Sequence, residues 1–196
     1  MLVRDVMTPD PVTVVPETHV KDALLRLADL GITSMPVVDD QQRLLGIVSE
    51  ADLIGEIVAR DPRAQERPIV VDALFAPRTV DEVYTRSALS VSPEDDVASA
   101  VDGMTTTAVK SMPVLDVHGR LVGVLSRSDV VQALARADDV IAADLDDLLG
   151  SLGHPDWLVE VTEGVARVSG PSGPAELSVA HVAARTVPGV IEVRID

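Results

Sequence analysis

Ser34-Met35-Pro36-Val37-Val38-Asp39 and Ser111-Met112-Pro113-Val114-Leu115-Asp116 are near-copies of one hexapeptide, 77 residues apart. The same offset holds outward from them without a gap. It aligns Asp5–Ile57 with Glu82–Leu134, and 17 of those 53 pairs are identical. Arg43-Leu44-x-Gly46-x-x-Ser49-x-x-Asp52 returns as Arg120-Leu121-x-Gly123-x-x-Ser126-x-x-Asp129, and Pro16-Glu17 returns as Pro93-Glu94. Self-similarity at a fixed period is the mark of one structural unit built twice. A stretch around 60–81, with Pro62, Pro68 and Pro77, connects the two copies.

Each copy reads the same way. Val12-Thr13-Val14 is a short strand. Apolar Val20, Ala23, Leu24, Leu27 and Leu30 have the spacing of an amphipathic helix over Val20–Leu30. Gly31 stands where such a helix ends. Met35–Val38 is a second strand, Asp39–Gln42 a polar turn, and Leu44–Val48 a third strand. A second helix is expected from Glu50 to Arg60, with Ala51, Ile54, Ile57 and Val58 on its apolar side. The apolar faces of this strand–helix–strand–strand–helix unit are too small to be covered alone, so two copies should pack together.

The composition excludes several functions. Sixteen basic against thirty-two acidic residues give a net charge of −16, which opposes binding to nucleic acid or anionic lipid. There is no Cys, so thiolate nucleophiles, disulfides and Cys-ligated zinc are out. Apolar runs reach about five residues against the ~20 of a membrane helix, and no signal peptide opens the chain, so a cytoplasmic location is expected. Two Lys against fourteen Arg, and no Asn, point to a GC-rich, bacterial genome. No P-loop, GxGxxG fingerprint or GxSxG elbow occurs. His19, His118, His154 and His181 share no ligand spacing, and Asp144-x-Asp146-Asp147 lacks the Gly and Glu of a calcium loop. The chain therefore reads as a non-enzyme.

Residues 138–196 differ from the repeats. A helix over Asp138–Leu149 precedes strands at Trp157–Val161 and Val165–Ser169, joined through Glu163-Gly164. A helix over Ala175–Thr186 and a strand over Gly189–Ile195 complete an αββαβ order. This segment holds eleven acidic and three basic residues.

Ser49-x-x-Asp52 and Ser126-x-x-Asp129 sit where the third strand meets the second helix. They form capping boxes on one reading. On another, free N–H groups at a helix start meet a phosphate and the carboxylate takes ribose hydroxyls. Both readings stay open, and the cap holds under either.

The ordered set Asp5-Val6-Met7-Thr8, Pro16, Gly31 to Asp39 and Gly46-Ile47-Val48-Ser49-Glu50-Ala51-Asp52-Leu53, present twice, resembles the CBS domain. The resemblance covers about two thirds of the chain. It implies an α/β (α+β) fold of two CBS repeats, residues 1–60 and 82–136, joined by a linker at 61–81 and packed about a pseudo-twofold axis. The last segment, 138–196, with Val168-Ser169-Gly170 and Val187-Pro188-Gly189-Val190, is similar to a BON domain, although its loop after Gly170 is shorter than that family's.

The CBS resemblance implies a regulatory module that binds an adenine nucleotide (AMP, ADP or ATP) or S-adenosylmethionine between the repeats and requires no cofactor. In the first repeat, Thr13, Val14, Ile32, Thr33, Met35 and Pro36 would surround the base, with core packing the plainer role for Met35. Ser49 and Asp52 would take ribose and phosphate. In the second repeat the corresponding set is Ser90, Lys110, Met112, Pro113, Ser126, Arg127 and Asp129. Lys110 is read equally as a phosphate ligand or an exposed charge. Arg127 faces Glu50 in the alignment, so a phosphate would prefer the second repeat. The resemblance also implies a homodimer and an undefined protein partner. The acidity of the BON-like segment argues against membrane contact. The alternative is a ligand-free dimeric scaffold whose last domain meets a partner or membrane.

Overall fold

The computed structural model describes residues 1–55 and 77–196. It divides into two compact units. One comprises Thr8–Ser92 with Lys110–Val124, and the other Met1–Met7, Pro93–Val109 and Leu125–Asp196.

In the first unit, helix α1 (Val20–Leu30) follows the sequence spacing and ends at Gly31, whose φ of 63° is left-handed. Strands β2 (Ser34–Val38) and β3 (Leu44–Ser49) pair antiparallel, Ser34 opposite Ser49. Helix α2 starts at once and is described over Glu50–Gly55. Its expected continuation through Ile57 and Val58 to Arg60 lies outside the described residues, as does 61–76 of the linker. Val14, Val20, Ala23, Leu27, Met35, Val37, Val48, Leu53 and Val80 form the buried core.

One expectation is corrected here. Val12-Thr13-Val14 is not a strand; only Val14 pairs, as an isolated parallel bridge to Val37. Its N–H donates to Pro36 O and its carbonyl accepts from Val38 N–H. Val14 is 2% exposed, while Val12 and Val15 are each 41% exposed, so one buried residue anchors the segment.

The two repeats exchange strands. Strand β4 (Thr85–Arg86), from the second repeat, adds to the first repeat's sheet in the order β2-β3-β4, with Gly46 opposite Arg86 and Ile47 opposite Thr85. Strand β1 (Thr8–Pro9), from the first repeat, adds to β6 (Leu121–Ser126) beside β5 (Ser111–Leu115) in the order β1-β6-β5. There Thr8 lies opposite Val124 and Pro9 opposite Gly123. Every pair in one exchange maps on the other by 77 residues. The bridge Arg43–Arg120 and the Ser34–Ser111 hydrogen bond join positions related by that same offset, so both lie on the pseudo-twofold axis.

The repeat fixes backbone conformation even where the residue changes. Ala108, the counterpart of Gly31, keeps a φ of 59°. A left-handed L-residue costs about 1–2 kcal/mol. Ala108→Gly is therefore expected to stabilise the chain by about 1 kcal/mol, the gain net of the extra freedom glycine has when unfolded. A lowered midpoint in thermal unfolding would contradict this. The polar turns also match. Asp39 accepts the N–H groups of Gln41 and Arg43, and Asp116 those of His118 and Arg120. These backbone donors, Arg43 and Arg120 foremost, hold both carboxyls below the usual aspartate range.

In the second unit, helices α3 (Val97–Thr106) and α4 (Arg127–Leu134) are followed by α5 (Asp138–Ser151), β7 (Leu158–Thr162), β8 (Val165–Ser169), α6 (Pro174–Thr186) and β9 (Glu192–Ile195). The last five elements have the αββαβ order. Strand β8 is central, antiparallel to β7 and parallel to β9. Two boundaries differ from the sequence reading by two residues or more, and β7 and the start of α6 by one. Helix α5 runs two residues further because Gly150 stays helical, and the chain turns only after it, with Gly153 at a φ of 92°. Strand β9 starts three residues late, because Gly189 has a φ of 98° and the N–H groups of Ile191 and Glu192 both donate to Gly164 O. Asp138 clamps the hairpin turn by accepting from the N–H groups of Glu163 and Gly164 at 2.7 and 2.9 Å. Arg136 donates to Pro188 O and pairs with Asp144, tying α5's first turns to the chain before β9.

Candidate functional site

In the first repeat the strand pairing gathers the candidate residues. Ser34 and Ser49 are opposite in register, so the loop before β2 and the start of α2 lie side by side. The Glu50 N–H donates to the Thr33 carbonyl at 2.9 Å and closes this junction. On the other edge of β2, the Val14 bridge brings Thr13 and Val14 against Pro36. Thr13, Ile32, Thr33, Ser49 and Asp52 are half-buried, which leaves them able to meet a solute. Val14, Met35 and Pro36 are buried; Val14 and Met35 belong to the core, so core packing is what their side chains do here.

Ser49 and Asp52 form the cap expected from their spacing. Asp52 N–H donates to Ser49 Oγ, while Ser49 N–H and Oγ–H both donate to Asp52 Oδ2, at 2.8 and 2.7 Å. The same three bonds recur for Ser126 and Asp129 at the start of α4. In both boxes the Oδ2 atom takes the cap bonds. A ligand would therefore be met by a carboxylate already fixed in orientation, without a further loss of side-chain freedom.

The candidates of the second repeat fall on both units. Ser90, Lys110, Met112 and Pro113 belong to the first, and Ser126, Arg127 and Asp129 to the second. Ser90 and Lys110 are exposed, while Met112 and Pro113 are buried. Neither basic candidate is idle. Arg127 donates through Nη2 to the Met104 carbonyl at 2.8 Å, near the end of α3. Lys110 Nζ lies 2.5 Å from Glu50 Oε1, joining the two repeats by an ion pair. Sequence reasoning missed this partnership, because the residues are 60 apart and do not correspond under the repeat offset. It also missed the axial Ser34–Ser111 bond, although two serines recurring at one place on a twofold pattern were a signal for it. Ser111 is 7% exposed, and this hydroxyl contact satisfies it.

Among the described residues, no three His, Asp or Glu side chains are gathered so as to hold a metal ion. His154 stacks instead on Trp157, ring centres 3.8 Å apart. No described helix is long and apolar enough to cross a membrane.

A family model described as CBS domain matches residues 3–59 and 80–136. The chloroplastic CBS domain-containing protein CBSX2 of Arabidopsis thaliana is 31% identical over 148 residues, 67% of this chain and 62% of that protein. The crystal structure of CBSX2 in complex with AMP has a TM-score of 0.56 at 32% identity, covering 67% of this chain and 94% of that one. YtoI of Bacillus subtilis is 29% identical over 153 residues, 76% of this chain but 31% of YtoI. The chain thus spans less than two thirds of either relative's length. The CBS domain pair of MJ0100, in complex with 5′-methylthioadenosine and S-adenosyl-L-methionine, shares the fold at a TM-score of 0.55 and 23% identity, over 67% of this chain and 94% of that one.

Proposed function

We propose that this chain, which belongs to the CBS-domain family, is a regulatory module rather than a catalyst, and that its first repeat binds an adenine nucleotide. The observation that carries this reading is the junction of Thr33 with Glu50. It holds the base-side loop against the start of α2 and its Ser49–Asp52 box, while Thr13, on the other edge of β2, is half-buried as well. The AMP complex of CBSX2, at 32% identity, supports the choice of ligand. AMP is our first choice, with ADP, ATP and S-adenosylmethionine as competitors. The base would lie near Ile32, Thr33 and the backbone of Pro36, and the ribose hydroxyls at Asp52. Ligand that favours one arrangement of the repeats shifts the population toward it. In this reading the protein is a cytoplasmic, bacterial homodimer. Its αββαβ segment is a BON-like domain that passes the shift to a protein partner.

Thermal unfolding with each of the four ligands tests it. A ligand at about 100 times its dissociation constant adds roughly 2.7 kcal/mol, a rise of several degrees at this chain length. Asp52→Ala is expected to abolish that rise, while lowering the unliganded midpoint only by a cap's worth of about 1 kcal/mol. No rise with any of the four at millimolar concentration would favour a ligand-free scaffold. The closed hydrogen bonding of the Ser49–Asp52 box is compatible with that outcome.

A further inference from the structure

The ion pair Glu50–Lys110 breaks the symmetry of the repeats. Under the offset of 77, Glu50 corresponds to Arg127 and Lys110 to Thr33, so the pair has no charged copy on the other side. Its place is closely defined. Lys110 precedes Ser111, which is bonded to Ser34; Ser34 follows Thr33, whose carbonyl accepts the Glu50 N–H; and Glu50 returns to Lys110. This closed circuit holds a carboxylate next to Ser49, the residue that the adenine-nucleotide reading above sets with Asp52 at the ribose and phosphate. The two side chains are 42% and 61% exposed, so the pair adds little to folding. An arriving anion meets it differently. Lys110 is engaged by Glu50, and each phosphate charge adds repulsion from a carboxylate whose backbone is held at this junction by its N–H bond to Thr33.

We infer that Glu50 and Lys110 make the first site a charge filter, which selects adenosine ligands of low charge on their 5′ side and rejects the triphosphate. This rests on the adenine-nucleotide reading above and names the ligand class of that site. Calorimetric titration of the full chain with 5′-methylthioadenosine, AMP and ATP tests it. For the wild type, the thioether and AMP should bind more tightly than ATP. Glu50→Gln frees the ammonium and should tighten ATP by about tenfold, the scale of one unit charge at a protein surface, with the thioether changed by less than about twofold. Lys110→Gln leaves the carboxylate bare and should weaken ATP further, again sparing the thioether. Both variants are exposed and conservative, and their thermal midpoints check that they fold. If all three ligands bind but the ATP-to-thioether ratio is the same in wild type and Glu50→Gln, the filter is wrong and the nucleotide reading stands. If none of the three binds the wild type, both fail together.

Discussion

Gly46→Ala is expected to destabilise the protein by about 3 kcal/mol, the upper end of what an overpacked core costs. For a chain of this length that is a fall of roughly 6–12 °C in midpoint. The reason is the strand exchange. A Cβ on Gly46 would run into the Thr85 carbonyl oxygen and lie 2.8 Å from Tyr84 Cδ2. The first of these is backbone and cannot rotate away. Strand β4 would have to lift from β3, losing the Gly46–Arg86 and Ile47–Thr85 pairs. Tyr84, packed against the first repeat's core, would lose its cover. The sign makes the test sharp. Gly46 is not in the left-handed region, so without that contact alanine would stabilise by about 0.4–1 kcal/mol through the unfolded chain. Gly150→Ala supplies the control. It lies inside α5, nothing comes within 4 Å of the place its methyl would take, and it should stabilise by about 0.5–1 kcal/mol. If Gly46→Ala matches Gly150→Ala, β4 does not lie on β3 in solution.

The second large effect is expected in the αββαβ segment. Leu145 is fully buried and belongs to a cluster with Ile141, Leu149, Trp157, Ala166, Val168, Ala180 and Ala184. The cluster's members on β8 and α6 are mostly small and have little length with which to fill the space that a truncation leaves. Leu145→Ala should cost about 3–5 kcal/mol, the range for cavities that collapse poorly. Trp157, the single tryptophan, lies in this cluster at 4% exposure and reports on it directly. Denaturant titration followed by tryptophan emission should show the midpoint moved to lower denaturant. Leu158→Ala, on the outer side of β7 at 72% exposure, should leave it almost unmoved. Equal shifts for the two variants would mean that the outward and inward sides of β7 have been exchanged. A one-residue register slip would do that.

Much of the fold was legible because its signals are local. The amphipathic spacing from Val20 to Leu30 and the glycine after it mark α1 to the residue. The Ser-x-x-Asp spacing foretells both capping boxes, since a cap is made by residues three apart in one turn. The exchanged strands were not legible. β1 and β4 are two residues each, too short for any periodicity, and they pair with the other repeat. The expected strand at Val12–Val14 failed for a related reason: alternation over three residues cannot tell a paired strand from an extended segment held at one point.

The candidate site divides in the same manner. Asp52 and Ser49 can be named from spacing, whereas the state of Lys110 cannot. The sequence leaves two readings of Lys110 open, phosphate ligand or exposed charge; in the structure it is exposed, and its ion pair with Glu50 is a contact that no spacing announces. By itself, the sequence determined the duplicated unit, its helix ends, its caps and the αββαβ order, because each depends on neighbours within a turn or on a repeat within the chain. Only the tertiary structure decided which strand joins which repeat, that Ser34 meets Ser111 on the axis, and that Glu50 holds Lys110. Those last two contacts span 77 and 60 residues, and their geometry is set by how the copies pack, on which no local pattern reports.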